Sequence, residues 1–446
     1  MRMQEFDIVV IGGGPGGLAA AYGLHAKGMN VAVVEKDLWG GTCPNRGCDP
    51  KKILMAAVET QAHSEALQGH GLSGVPQIDW TALMAAKRAY TEKIPSGTHS
   101  GLKSAGIATF HGTASFNADG TLTVGDDQLN AANWIVATGQ EPRIPAIKGS
   151  EWLNTSNEFL DLDSLPADIT LMGAGFVGVE IAAIANAAGS HVHLIHHSDR
   201  PLRAFDADLV HDLMDRLAAD GIDVQLDTDI TAVSPADDQY QVTTATGESW
   251  TTGMVLATAG RRPVIDDLHL DRIDVVTTAH GITVNGQLQT TNPHVFALGD
   301  VVDRPQPKLT PVAGFEGRYL AETLTTCDSP AIVYPAIPSV VYGKTQLAQL
   351  GVSPEMATIQ ADRYQVKDLD LTHWYSYQRI QDPHARIKVV VDRTSQNIVG
   401  AAILSTEAEQ VINYLDFVIQ NHMSSADISQ TIMAYPTLAS DLGYFN

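Results

Sequence analysis

Cysteine is scarce in this chain: 446 residues carry three, Cys43, Cys48 and Cys327. So few exclude a framework of structural disulfides, and the usage fits a cytosolic protein, where a close cysteine pair is usually redox-active or metal-binding. Cations are scarce too. Lys and Arg total 28 against 51 Asp and Glu, a formal net charge of −23. A chain this acidic repels phosphate backbones, so neither nucleic acid nor an anionic membrane is expected as a partner. No apolar run approaches the roughly 20 residues that a membrane span needs. Residues 1–7 show no cleavable signal pattern and lead directly into a strand-like run, so a soluble, cytoplasmic protein is expected. Low-complexity tracts, coiled coils and short repeats are also missing.

The length suggests roughly three domains, and the glycines show how two of them begin. Residues 6–11 (Phe-Asp-Ile-Val-Val-Ile) read as a buried parallel strand, short and β-branched. It runs into Gly12-Gly13-Gly14-Pro15-Gly16-Gly17, a helical stretch over 18–27 and a second strand over 30–34 that ends in Glu35. Strand, Gly-x-Gly-x-x-Gly, helix, strand and acid follow in the order a dinucleotide site requires. Gly12 permits the tight turn, Gly14 admits the pyrophosphate and Gly17 lets helix and strand pack closely. The helix N-terminus then holds the anion, and Glu35 accepts hydrogen bonds from ribose hydroxyls.

The pattern recurs about 160 residues later, with a strand over 168–172, Gly173-Ala174-Gly175-Phe176-Val177-Gly178, a helix to 188 and a strand over 191–195. Here the second strand ends in His196-His197-Ser198-Asp199-Arg200-Pro201-Leu202-Arg203, without the carboxylate that would select the free 2′-hydroxyl of NAD. His197, Arg200 and Arg203 supply charge suited to the 2′-phosphate of NADP, unless they merely form a solvated basic loop. NADPH is therefore expected, with NADH the weaker alternative.

Cys43 and Cys48 are separated by four residues in Gly41-Thr42-Cys43-Pro44-Asn45-Arg46-Gly47-Cys48-Asp49-Pro50-Lys51-Lys52. That spacing exceeds a zinc knuckle, Cys327 is remote and no histidines cluster nearby, so a redox pair is favoured and no metal site is expected.

Two dinucleotide units together with Cys-x4-Cys resemble the class I pyridine nucleotide–disulfide oxidoreductases, the flavoprotein disulfide reductases, and most closely their glutathione reductase-like branch. The resemblance spans essentially the whole chain. It implies an α/β fold: two Rossmann-like, three-layer dinucleotide-binding domains plus a C-terminal α+β dimerisation domain. The expected division is 1–142 and 261–330 for the FAD-binding and central parts, 143–260 for NAD(P) and 331–446 for dimerisation. The run 137–139 with 142–145 resembles the family's exit from the FAD domain, 259–263 its return, and 295–300 the second FAD segment, whose aspartate (Asp300) binds the ribityl chain. Leu309-Thr310-Pro311-Val312-Ala313 resembles the helix start at the flavin's pyrimidine edge.

The same likeness implies an FAD set of Gly12, Gly14, Gly17, Glu35, Lys36, Gly41, Thr42, Lys52, Ala114, Thr138, Gly139, Asp300, Thr310 and Ala313. For NADP it implies Gly173, Gly175, Phe176, Val177, Glu180, His197, Arg200, Arg203 and Gly260. In catalysis Cys48 would lie against the flavin and Cys43 would attack a small disulfide. Both are expected at the start of a helix from Lys51 onward, whose N-terminus lowers thiolate pKa. Lys52 and Glu180 would pair near the flavin; read alone they are a surface lysine and a solvated helix acid. Phe176 would cover the flavin, or simply pack in the core. An obligate homodimer with a shared active site follows from the likeness.

One departure stands out. The family's C-terminal His-Pro-x-x-x-Glu is here Ala434-Tyr435-Pro436-Thr437-Leu438-Ala439-Ser440-Asp441. Tyr435 occupies the histidine position, Ser440 the glutamate position, and Asp441 lies one residue beyond. A tyrosine with an ordinary pKa of about 10 is a poor base at neutral pH. Tyr-Pro-Thr is similar to the soluble transhydrogenases of this fold, so a quinone, metal ion or second pyridine nucleotide is the alternative acceptor. Arg46 and Asp49 stand where the family has apolar residues; Arg46 is expected to lower a thiolate pKa, to bind an acidic substrate or to pair with Asp49.

Overall fold

A computed structural model of the chain describes residues 3–326 and 329–445, so Cys327 lies outside the described residues. The chain divides into two compact units. The first joins three stretches, Met1–Lys52, Ala85–Arg143 and Arg261–Val333. Its centre is a parallel sheet in the order Ala108–His111, Val31–Glu35, Met3–Ile11, Asp127–Val136 and Val295–Ala297. Val10 pairs with Val33 on one side and Ile135 on the other, and Ile135 pairs with Phe296 beyond. Val31–Glu35 is buried along its whole length, which is why it reads as a continuous apolar run rather than an alternating one. Leu122–Val124 and Ala114–Phe116 extend the sheet as antiparallel strands.

Two helices of this unit, Pro15–Ala26 and Thr310–Thr323, pack closely. A Cβ on Gly317 would lie 2.4 Å from the Gly16 carbonyl oxygen, and one on Gly23 would lie 2.5 Å from the Ala321 Cβ. The backbones therefore approach closer than any side chain at Gly317 would allow. Beneath the second helix Arg304 and Glu316 form an ion pair at 2.7 Å, their side chains 5% and 0% exposed. Glu316 also accepts the Gly299 N–H at 2.7 Å, and Arg304 donates to the Gly299 carbonyl at 3.3 Å. The pair thus ties the helix to the end of the Val295–Ala297 strand.

The second unit joins Ile53–Met84, Ile144–Gly260 and Tyr334–Asn446. Its parallel sheet runs Asp223–Gln225, His191–Ile195, Asp168–Met172, Met254–Ala257. A three-stranded antiparallel meander covers Ile230–Ala236, Gln239–Thr244 and Ser249–Thr252. A five-stranded antiparallel sheet follows, in the order Ser339–Val341, Gln346–Gly351, Ile398–Ser405, Arg386–Asp392, Tyr364–Asp370. Helix Ala408–Gln420 buries Val411, Ile412, Leu415 and Val418 against it, the spacing of one helical face. Lys388 of that sheet is held by Asp206 at 2.8 Å and Asp208 at 2.6 Å. Among the described residues no helix is long and apolar enough to cross a membrane.

Removing one member of a buried ion pair strands the other charge, at a cost of about 3–5 kcal/mol. Glu316→Ala is therefore expected to lower the unfolding free energy by about that amount. A urea midpoint within error of the parent's would show that the pair is dispensable.

Candidate active site: dinucleotide cradles and a cysteine pair

The first cradle is built wholly within the first unit. Gly12 has φ +118, and a Cβ there would sit 2.3 Å from the Ala137 carbonyl oxygen; one on Gly17 would sit 2.1 Å from the Gly12 oxygen. The turn closes only with glycine at both positions. Gly14 caps helix Pro15–Ala26 without any side-chain cap bond, so its first N–H groups remain available to an anion. Gly41, at φ +69, faces Gly14 across the mouth of the turn. Glu35 ends its strand with one carboxylate oxygen accepting the Gly13 N–H at 2.8 Å and the other the Asp37 N–H at 2.8 Å. This leaves lone pairs for ribose hydroxyls.

The remaining FAD-set residues of the unit are placed as follows. Thr138 donates to the Val264 carbonyl at 2.7 Å, and Gly139 follows it at φ +68. Ala114 is buried in its strand. Lys36 is engaged with Asp267 at 3.1 Å. Burial pushes the Asp300 carboxyl up, against the pull of the Arg261, Lys308 and Arg304 charges. Lys308, itself pushed down by burial, donates to the Asp300 carbonyl at 2.7 Å and to that of Val302. Thr310 opens its helix beside Pro311, again without a side-chain cap, and Ala313 is buried one turn further on. Two uncapped helix starts, a glycine turn that no Cβ could enter and a fixed ribose acid fit an FAD.

Cys43 lies in the short helix Thr42–Arg46, and Cys48 opens the long helix Cys48–Ala66. The helix expected from Lys51 onward therefore begins three residues earlier, and only Cys48 starts it; Lys52, half-buried, follows in its first turns. Both cysteines are thiols in this structure. Cys48 Sγ lies 3.6 Å from Thr310 Oγ1, in hydrogen-bonding range for sulfur.

The expected lowering of thiol pKa does not hold for Cys43. Its hydrogen bond to Cys48, its burial and the Cys48 charge push it strongly up; Asp49 adds to this and Thr310 opposes it. Arg261, whose guanidinium donates to the Gln140 carbonyl at 2.5 Å, has its charge within reach of Cys48 and Asp300. Cys43 is thus pushed toward its protonated form, while the Arg261 charge acts on Cys48. Arg46 does not pair with Asp49. It binds Asp37 at 2.6 Å, while Asp49 accepts a hydrogen bond from Tyr90 at 2.9 Å.

The second unit holds the second cradle. Gly173 stands at φ +119 and Gly175 caps helix Phe176–Ala187 without a side-chain bond. Phe176 is 48% exposed at the helix start, which removes core packing as its role, and Val177 behind it is half-buried. Glu180 is no solvated acid: it is 5% exposed and accepts the Tyr342 N–H at 3.2 Å. Gly260, at φ +100, is exposed at the end of the unit's middle stretch.

His196 takes the position that Glu35 has in the first cradle. Its Nδ1 accepts the Ala174 N–H at 3.2 Å, as Glu35 accepts the Gly13 N–H, with the same 22-residue separation. Nδ1 as acceptor puts the ring proton on Nε2, which is buried without a partner among the described residues. Burial and the neighbouring His197 push His196 down, so it is neutral. The sequence showed only that a carboxylate was missing; the strand register shows what replaced it. His197, Arg200 and Arg203 are exposed, but Arg200 is bound to Glu355 at 2.5 Å and Arg203 reaches Ser198 Oγ at 3.3 Å. At the C-terminus Tyr435 is 78% exposed, Ser440 caps with Thr437, and Asp441 is turned inward to 8% exposure, its carboxyl pushed up by burial.

A glycine-cradled dinucleotide site adjoining a dithiol, and a second cradle in the same chain, define a two-nucleotide flavoenzyme. Residues 6–317 match the pyridine nucleotide-disulphide oxidoreductase family and residues 337–444 its dimerisation domain. The chain belongs to that family, whose members bind FAD and NAD(P)H, and is a flavin-dependent disulfide oxidoreductase. A glutathione reductase of Burkholderia cepacia is 32% identical over 443 residues, spanning 99% of this chain and 98% of its own length. A dihydrolipoyl dehydrogenase of Geobacillus stearothermophilus is 31% identical over 446 residues, spanning 97% and 94%. The HOCl-induced flavoprotein disulfide reductase RclA from Escherichia coli shares the fold, with a TM-score of 0.88 at 23% identity, covering 98% of this chain and 99% of that one.

Because Cys48 is the largest cause of the raised Cys43 pKa, Cys48→Ala is expected to move the alkylation profile of Cys43 to lower pH. Iodoacetamide labelling of the reduced protein against pH, read by peptide mass spectrometry, checks this; an unmoved profile contradicts it.

Proposed function

We propose that the protein is an NADPH-dependent reductase of a small disulfide, acting through Cys43 and Cys48 as a homodimer. The cysteine pair, with Cys48 Sγ 3.6 Å from Thr310 Oγ1 at the uncapped helix start of the first cradle, carries the reading. When bound, the flavin supplies the two-electron link between nicotinamide and the cysteine pair. Cys43 loses its proton and attacks one sulfur of the substrate. A Cys43–substrate disulfide forms, the substrate's own S–S bond breaks, and the departing thiolate takes up a proton. The Cys48 thiolate then attacks Cys43, releasing the second substrate thiol and leaving the Cys43–Cys48 disulfide. The two cysteines thus give up two electrons to the substrate, with one proton from Cys43 and the second from solvent.

Thr310 holds Cys48 by its hydroxyl, and Arg261 favours charge on that sulfur. Lys52 and Glu180 would position the nicotinamide. Cys43→Ser is expected to abolish disulfide turnover. Undiminished turnover with the physiological acceptor would sink the mechanism and favour a quinone, metal ion or second pyridine nucleotide as oxidant. Tyr435 favours that second reading, because an exposed phenol is a weaker acid–base group than the histidine it replaces, and loss of such a group costs about 10² to 10⁴ in rate.

The preference for NADPH rests on His196. A neutral imidazole offers an N–H donor where a carboxylate would accept from a 2′-hydroxyl and repel a 2′-phosphate. His197 and Arg203 lie near in sequence with their charges exposed. His196→Glu should therefore shift the ratio of kcat/KM for NADPH over NADH at least about tenfold toward NADH, roughly 1.4 kcal/mol. Anaerobic titration of the oxidised protein with each nucleotide checks it, and an unchanged ratio would remove His196 from cofactor selection.

A further inference from the structure

A fixed carboxylate acts on the attacking cysteine. Asp49 follows Cys48 directly in the chain and lies half-buried in the first turn of helix Cys48–Ala66. Its carboxylate accepts from Tyr90 Oη at 2.9 Å, which fixes its position, and the bond holds the Tyr90 proton in place by pushing its pKa up. Both residues act electrostatically on Cys43. The cation nearest Cys43 in sequence, Arg46, is neutralised by Asp37 at 2.6 Å. Arg261 acts on the other sulfur, Cys48. The chain as a whole is acidic, net −23.

We infer that Asp49, held by Tyr90, sets the charge of the substrate: the site takes neutral or cationic disulfides and rejects anionic ones. This rests on the disulfide-reductase reading and narrows it. A carboxylate that acts electrostatically on the attacking sulfur repels an approaching anion, and does so more strongly when half-buried than in open water. Glutathione disulfide, with its several carboxylates, is accordingly a poor substrate. A disulfide bearing hydroxyls or amines suits the site.

The inference is testable without turnover. In a Cys48→Ala, Cys327→Ser background Cys43 is the sole thiol. Its labelling rates with a cationic (trimethylammonioethyl) and an anionic (sulfonatoethyl) methanethiosulfonate give a ratio from which the thiolate fraction cancels. Adding Asp49→Asn should lower the cationic-to-anionic ratio at least about fivefold. Raising the ionic strength from about 0.01 M to about 1 M, which shortens the screening length from about 30 Å to about 3 Å, should lower it with Asp49 intact, so a poorly folding variant leaves the question answerable. A ratio indifferent to both overturns the inference.

In the intact cysteine pair, Asp49→Asn should raise kcat/KM for glutathione disulfide relative to hydroxyethyl disulfide about tenfold and lower it for cystamine. If the enzyme turns over no disulfide yet keeps the Asp49-dependent labelling ratio, the reductase reading falls and the charge selection stands. If the ratio does not move, the charge selection falls whatever the turnover.

Discussion

The flavin-side unit depends on one close approach, the contact of helix Pro15–Ala26 with helix Thr310–Thr323 through Gly16 and Gly317. A methyl group at Gly317 would force the two backbones apart. Glycine in a helix costs about 1 kcal/mol relative to alanine, and the packing it permits must offset that. What it permits is the alignment of two uncapped helix starts, at Gly14 and at Leu309, from opposite ends of the unit's sequence. The Arg304–Glu316 pair fixes the second helix against the sheet from below. Thr310 can reach Cys48 because the second helix begins where this packing puts it.

That placement has an electrostatic result. Arg261 acts on Cys48, while the hydrogen bond to Cys48, burial and Asp49 push Cys43 up against the pull of Thr310. A symmetrical dithiol would share its first charge between the sulfurs. Here the sulfurs have different neighbours, Asp49 acting on Cys43 and Arg261 on Cys48, so the two cysteines are distinguished before any substrate arrives. The second unit differs at the matching position: His196 keeps the backbone contact that Glu35 makes in the first but carries a neutral ring in place of a carboxylate.

Both glycine turns, the strands that feed them and the family could be read from the sequence because these are local patterns: a β-branched run, a fingerprint, a helix. The pairings that give the site its character are not local. Asp49 and Tyr90 are 41 residues apart, and nothing in either neighbourhood names the other. Arg46 had an acid three positions away in Asp49, yet its loop carries it back to Asp37. Sequence alone marked His197 as the cofactor-facing histidine; the hydrogen bond to Ala174 shows that His196, directly after strand His191–Ile195, stands in the acid's place. Asp441, one residue from the lost glutamate position, was a candidate replacement. It faces Ser376 in the core, while Tyr435 faces solvent.

The flavin-side unit is assembled from three separated stretches of chain, and this orders events during synthesis. Cys43 and Cys48 leave the ribosome early. The strand Val295–Ala297 that completes the parallel sheet, and the helix that brings Thr310 to Cys48, emerge only after the whole of 144–260 has been made. For most of translation the nascent chain therefore carries two thiols and Asp49 without Arg261 or Thr310. The reactive pair is made first and acquires its chemistry last.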